Sequence, residues 1–278
     1  MEAFLTPFQV QKGGNAEGEY EDAYYPPDNG GREGSELRFA IADGASEGML
    51  SGAWANILVR GHCQFDWLCG SVEQFLKSAY RDWSSFTSEY LKDRERRHPV
   101  QWYEEPGFEE GAFSTLLGLT LTGSSARPGG EWAALAVGDS CVFQVRGGTV
   151  VKKFPVERSS DFNSRPVLLA SNPARNDPAL GAVRWAGGTF ESGDAFYLMT
   201  DALARWSLKE EEDGRNPWAR LRAFGPGDAP AFDRWIEGLR KAKEMRNDDI
   251  TLLRIDLPRM AGALVPTGGV PPTPTAPD

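Results

Sequence analysis

Four separate apolar runs in this sequence carry an acid at one edge. Glu21-Asp22 opens the run EDAYY, Asp43 closes LRFAIAD and is followed by Gly44, Asp201 closes AFYLMTD, and Asp248-Asp249 precedes ITLLRI. One acid at a strand edge is better explained as a turn residue or a helix N-cap. Four of them, at the ends of strands that share sheets, can be brought to one point. Such a cluster of carboxylates repels itself unless cations occupy it. Ligation by oxygen alone selects hard ions, Mg²⁺ or Mn²⁺, over zinc or copper. Gly44, lacking a side chain, lets the backbone carbonyl beside Asp43 approach an ion closely. Two hard ions a few ångströms apart suit phosphoryl chemistry, because they can share a hydroxide, lower its pKa and clamp phosphate oxygens. The chain has only two histidines, His62 and His98. Histidine-rich metal sites and Ser-His-Asp catalysis therefore have little to work with.

The elements that must position these acids are legible in part. The runs 37–43, 113–122, 132–137, 195–200 and 250–257 read as strands. Cys141–Val145 and Thr149–Phe154 flank Arg146-Gly147-Gly148 and read as a hairpin. Helical spacing appears over 48–62, 71–92 and 231–245. In the second of these it places Val72, Phe75, Leu76, Tyr80, Trp83 and Phe86 near one face. Strand pairs dominate and helices come in blocks, which favours antiparallel sheets with helices segregated to the outside over a doubly wound parallel sheet.

The 278 residues can bury a sizeable core, and the expected organisation is one domain over 1–257 followed by a Pro/Gly/Thr-rich disordered tail over 258–278. The net charge of −10 repels phosphate backbones and argues against a nucleic-acid partner. No apolar run approaches the roughly 18–20 residues that a membrane span needs. The N-terminus lacks the basic start and apolar stretch of a signal peptide. Three cysteines without paired spacing read as free cytosolic thiols.

Six segments, in this order, resemble the motifs of the type 2C metal-dependent serine/threonine phosphatases: Glu21-Asp22-Ala23, Ala42-Asp43-Gly44, Phe113-Ser114-Thr115, Ala136-Val137-Gly138-Asp139-Ser140, Met199-Thr200-Asp201 and Asn247-Asp248-Asp249-Ile250-Thr251. Any one is weak; six in order are specific. The resemblance covers the chain from about Gly13 to Ile255. It implies an α+β fold, a four-layer α-β-β-α sandwich of two packed antiparallel sheets flanked by helices. It implies two Mg²⁺ or Mn²⁺ ions in a cleft at one end, with Asp43 bridging both, the Gly44 carbonyl on one, Asp201 and Asp248 completing the other, and Glu21 and Asp22 acting directly or through water. Asp43, Asp201 and Asp248 would be essential to turnover, and Asp139 structural. A third ion would fall to Glu110, with Glu109 second. The implied activity is hydrolysis of phosphoserine and phosphothreonine in a protein substrate that a Ser/Thr kinase has modified, by a monomeric cytoplasmic signalling enzyme.

The sequence departs from the family pattern at several positions. Glu17 stands where the family carries an arginine that grips the substrate phosphate, and Lys12 is the candidate to replace it, as a point charge without the bidentate fork. Ala45-Ser46, Ala202 and Phe113 replace motif glycines. The segment 157–185 corresponds to a variable flap near the cleft, a candidate substrate-selecting element. These departures keep open a second reading, a phosphoprotein-binding regulatory module without turnover, and a third, a two-metal phosphoesterase acting on small molecules.

Overall fold

The computed structural model describes residues 1–15, 19–46, 48–97, 105–124, 127–163 and 165–258. Two antiparallel sheets form its centre. The first has six strands in the spatial order β3 (Gly30–Glu33), β1 (Glu2–Val10), β13 (Ile250–Asp256), β12 (Ala195–Met199), β8 (Cys141–Arg146) and β9 (Thr149–Phe154). The second has five, ordered β11 (Arg184–Phe190), β7 (Arg127–Val137), β6 (Leu116–Ser124), β4 (Glu36–Ala42) and β2 (Ala23–Tyr25). A small pair, β5 (Phe113–Ser114) with β10 (Leu169–Ala170), stands apart.

Strand alternation builds three cores from these two sheets. Phe196 and Leu198 of β12, Leu253 and Ile255 of β13, and Leu117, Leu119 and Leu121 of β6 pack between the sheets. The intervening Tyr197 and Met199 of β12 and Leu252 of β13 face the other way. There they meet α5 (Asp201–Glu212), α6 (Pro217–Arg222) and α7 (Ala229–Lys241) through Leu203, Trp206, Leu221, Phe232 and Ile236. On the opposite side, Leu116, Leu135 and Val137 pack on α1 (Ser51–Gln64) and α2 (Val72–Arg97) through Trp54, Leu58, Phe75 and Leu76. Two further short helices, α3 (Glu105–Glu110) and α4 (Asp177–Gly181), lie in the connections. Helix layer, sheet, sheet and helix layer make the expected four-layer sandwich. Each fully buried large side chain in it contributes about 1.5–3 kcal/mol by leaving water.

Several boundaries differ from the sequence expectation. The helical pattern over 231–245 stops at Lys241. Lys243 takes a left-handed φ of 59° and the Glu244 amide turns back to the Leu239 carbonyl, so Met245 is buried from beyond the helix. Asp201 opens α5 instead of ending a strand, because Thr200 is the extended residue before the helix. β1, β2, β3, β11, α5 and α6 go beyond the elements expected from the sequence pattern. Except for Pro258, the tail lies outside the described residues, as do Glu17 and His98. No helix among the described residues is long and apolar enough to cross a membrane.

Candidate metal centre

Strand register gathers the acids. In the six-stranded sheet Val10 pairs with Ile250, and Met199 pairs with both Leu252 and Cys141. Lys12, Asp248, Asp201 and Asp139 therefore emerge at the same end of four strands. In the five-stranded sheet Ala23 pairs with Ala42, Ile41 with Leu117, and Leu116 with Val137, which places Asp22, Asp43 and Gly138 at one end. Two hydrogen bonds fasten these ends together across the sandwich. Thr251 Oγ1 donates to Asp22 Oδ2 at 2.9 Å, and the Thr115 and Ser140 hydroxyls meet at 2.8 Å.

Asp43 is held by its backbone. Its amide donates to Thr115 Oγ1 at 2.8 Å, and its carbonyl accepts from the Thr115 amide at 2.8 Å and from Ser114 Oγ at 2.9 Å. This leaves the carboxylate to face its neighbours. Burial, followed by repulsion from Asp22, Asp201, Asp248 and Asp139, pushes its pKa well above the usual carboxylate range. Asp22 is 3% exposed, and burial and then Asp249 push its carboxyl up in the same way. Burial also raises Asp201, opposed by Arg246, and Asp139, which reaches about 7. Glu21 is raised by burial too, and a hydrogen bond with Ser46 opposes the shift.

Gly44 is required here for packing. A Cβ at this position would lie 2.6 Å from the Glu21 carbonyl oxygen and 3.0 Å from the Ser51 carbonyl carbon. The glycine thus lets the Glu21-Asp22 segment close onto the Asp43 turn. Asp249, 6% exposed, does not share the role of Asp248. Its two oxygens accept the Lys12 amide at 2.7 Å and the Glu21 amide at 2.8 Å, tying two loops of the site to the start of β13.

Arg246, which the motif reading did not single out, bridges two of the acids. Its Nη2 lies 2.6 Å from Asp201 Oδ2 and 2.5 Å from Asp248 Oδ2. Lys12 Nζ stands 3.8 Å from Asp248 Oδ1, at the rim. Its place two residues before Asp248 puts it in the loop that enters the site, but the direction its side chain takes is set by that loop and by no spacing in the sequence.

Three carboxylate oxygens of the cluster, Asp22 Oδ1, Asp139 Oδ2 and Asp201 Oδ1, are buried without a hydrogen-bond partner. Such oxygens are costly to bury, and a hard divalent cation is a partner they accept. The donor chemistry therefore fits Mg²⁺ or Mn²⁺. In this conformation no three acidic side chains among the described residues close tightly on one point; Arg246 bridges two of them instead. Asp139 contributes one of the orphaned oxygens, so its carboxylate belongs to the cluster and is more than a brace for its hairpin. Glu110 is not brought to the cluster. It pairs with Arg175 at 3.4 Å on an exposed surface, and the side chain of Glu109 lies outside the described part of the structure.

The chain superposes on the serine/threonine phosphatase PstP/Ppp of Mycobacterium tuberculosis with a TM-score of 0.55 at 16% identity, over 93% of this chain and 100% of the other. The PstP catalytic domain in complex with 2 manganese ions gives 0.53 at 15%, over 92% and 99%. The PP2C phosphatase domain of SpoIIE from Bacillus subtilis, with a fragment of its regulatory domain, gives 0.51 at 14%, over 92% of this chain and 62% of that one. The fold is that of the type 2C phosphatases. At these identities the likeness establishes the architecture alone. No protein-family model matches the sequence, and no curated protein matches it significantly.

Proposed function

We propose that the protein is a type 2C phosphatase that hydrolyses phosphoserine and phosphothreonine in proteins with the help of two Mg²⁺ or Mn²⁺ ions. The observation that carries this reading is the convergence of Asp22, Asp43, Asp139, Asp201 and Asp248 at one end of the sandwich, with three buried oxygens left without partners. Asp22, Asp43, Asp201 and Asp248 would hold the ions, and Glu21 and the Gly44 backbone stand at the edge of the same site. When bound, the ions supply Lewis-acid polarisation of the phosphoryl group and acidify water.

The chain's own residues do the positioning. Thr115 and Ser114 fix the Asp43 backbone. Thr251 aims Asp22, and Asp249 ties Lys12 and Glu21 to β13. Lys12 and Arg246 are the cations within reach of a phosphate placed at Asp248. The Arg246 fork suits two phosphate oxygens at once, and Lys12 adds a point charge. In this reading Arg246 turns from Asp201 and Asp248 toward substrate when the ions enter.

A second reading, a phosphoprotein-binding module without turnover, rests on that same bridge, since a guanidinium neutralising Asp201 and Asp248 occupies the place an ion needs. The experiment is hydrolysis of p-nitrophenyl phosphate and of a phosphothreonine peptide, titrated with Mn²⁺ and then with EDTA. Turnover that requires Mn²⁺ and is lost in Asp201→Asn supports the enzyme. Phosphopeptide binding with no turnover at saturating Mn²⁺ supports the module. A preference for small phosphate esters over phosphopeptides would favour a small-molecule substrate.

A further inference from the structure

A cavity of about 1070 Å³ opens beside the carboxylate cluster. Asp201 and Arg246, which belong to the cluster, form part of its wall, so the two spaces are contiguous. The protein as a whole carries a net charge of −10. Yet among the described residues that line this cavity, six side chains are cationic and three anionic. A basic hollow on an acidic molecule is not explained by solubility, and it focuses an anion toward the cluster.

The cations are not equivalent. Arg215 is tied to Glu210 and Asp213, Lys209 to Asp213, and Arg240 to Glu237. Arg205, on α5, and Lys243, just past α7, are exposed, and neither forms an ion pair among the described residues. Trp206, 8% exposed, also contributes to the lining. Phe162, from the segment 157–185, completes one side. Two unpaired cations beside an apolar wall make a hollow suited to the acidic side chains of an extended chain.

We propose that this groove docks an acidic peptide segment adjacent to the phosphorylated residue, so that substrates with Asp or Glu flanking the phosphoresidue are selected over those with basic flanks. The proposal rests on the phosphatase reading for the chemistry that follows docking, but the docking itself is a separate binding event. Arg205 and Lys243 make the ionic contacts and stand outside the metal-holding set. Each exposed ion pair is worth a factor of about 1.4 to 5, so two at about threefold each give a preference of about tenfold.

The test measures binding and turnover separately. Two phosphothreonine peptides, one with Asp/Glu flanks and one with Lys/Arg flanks, are compared by fluorescence polarisation and by kcat/KM with Mn²⁺, with p-nitrophenyl phosphate as the control. The acidic peptide is expected to bind and react about tenfold better. The double variant Arg205→Gln/Lys243→Gln is expected to erase that preference, read as the ratio of the two peptides within each protein, while the thermal midpoint stays unchanged; p-nitrophenyl phosphate turnover normalises any general effect of the lost charge on the site. Equal treatment of both peptides, or a preference that survives in the double variant, would overturn the docking groove while leaving the phosphatase reading intact. Acidic-peptide binding that is lost in the double variant, with no turnover of any substrate, would uphold the groove and remove the phosphatase. Binding of an oligothymidylate as tight as that of the acidic peptide would overturn peptide docking in favour of a general polyanion site.

Discussion

Replacing Asp139 with asparagine is expected to stabilise the metal-free protein above neutral pH, the opposite of the usual sign for a change at a buried polar residue. Asp139 is 7% exposed, and Asp139 Oδ2 has no hydrogen-bond partner. Burial first, and then Asp201, raise its pKa from 3.8 to about 7. The native carboxyl therefore keeps a proton that the unfolded chain releases. Stability is complete below pH 3.8, falls as the pH rises, and levels off above about 7. The full loss amounts to about 4 kcal/mol, of which about 2.5 kcal/mol accrues between pH 5 and 8. Asparagine keeps the shape and cannot ionise, so this slope disappears. The assay is urea unfolding in EDTA at both pH values, for wild type and Asp139→Asn. Identical pH dependence in the two proteins, or a less stable variant at pH 8, would refute the claim that burial beside Asp201 holds a proton on Asp139. Saturating Mn²⁺ should shrink the advantage of the variant, because bound cations remove the repulsion that asparagine relieves.

Other consequences lie both at the site and away from it. Burial and then Arg38 push the pKa of His62 down to about 3, so the native ring stays neutral where the unfolded one is protonated. Stability should fall as the pH drops below 6.5, by about 3 kcal/mol at pH 4.5, and a His62→Gln variant compared by urea unfolding should lack this component. Gly118→Ala would place a Cβ 2.1 Å from two atoms of the same ring. A loss of about 1–3 kcal/mol is expected, smaller in a His62→Ala background, which a double-mutant cycle measures. Arg246→Gln removes the cation bridging Asp201 and Asp248, so calorimetric Mn²⁺ affinity should rise by up to about tenfold, while phosphopeptide KM worsens. An unchanged affinity would mean that the bridge does not compete with metal.

The strands that lead toward Asp43 and Asp201 and the one that follows Asp249 could be read directly, since each is a compact apolar run with an acid just beyond its end. β1 has no clean two-residue period in its sequence, because Ala3 and Leu5 face one core and Phe8 and Val10 another. Pro7 interrupts it, and only the antiparallel partner β13 makes its identity plain. α5 was hidden for a different reason. It starts at the residue after Thr200 with no turn between strand and helix, so Asp201 looked like a strand terminus. The segment 157–185 has little periodicity because its order is tertiary, with Leu169 and Ala170 pairing to β5 and Asn176 bonding to the backbone of Ala170. The bridge made by Arg246 depends on where a loop side chain turns, and no spacing in the sequence encodes that.

Whether the convergent aspartates form a divalent-metal site is decided by calorimetric titration of the metal-free protein with Mn²⁺, beside Asp43→Asn. Wild type should bind about two ions and gain thermal stability with them. At 100-fold excess over Kd the gain is about 2.7 kcal/mol per site. The variant should bind fewer ions, or none, while remaining folded. No Mn²⁺ binding by wild type, or binding that is undiminished in Asp43→Asn, would contradict the account.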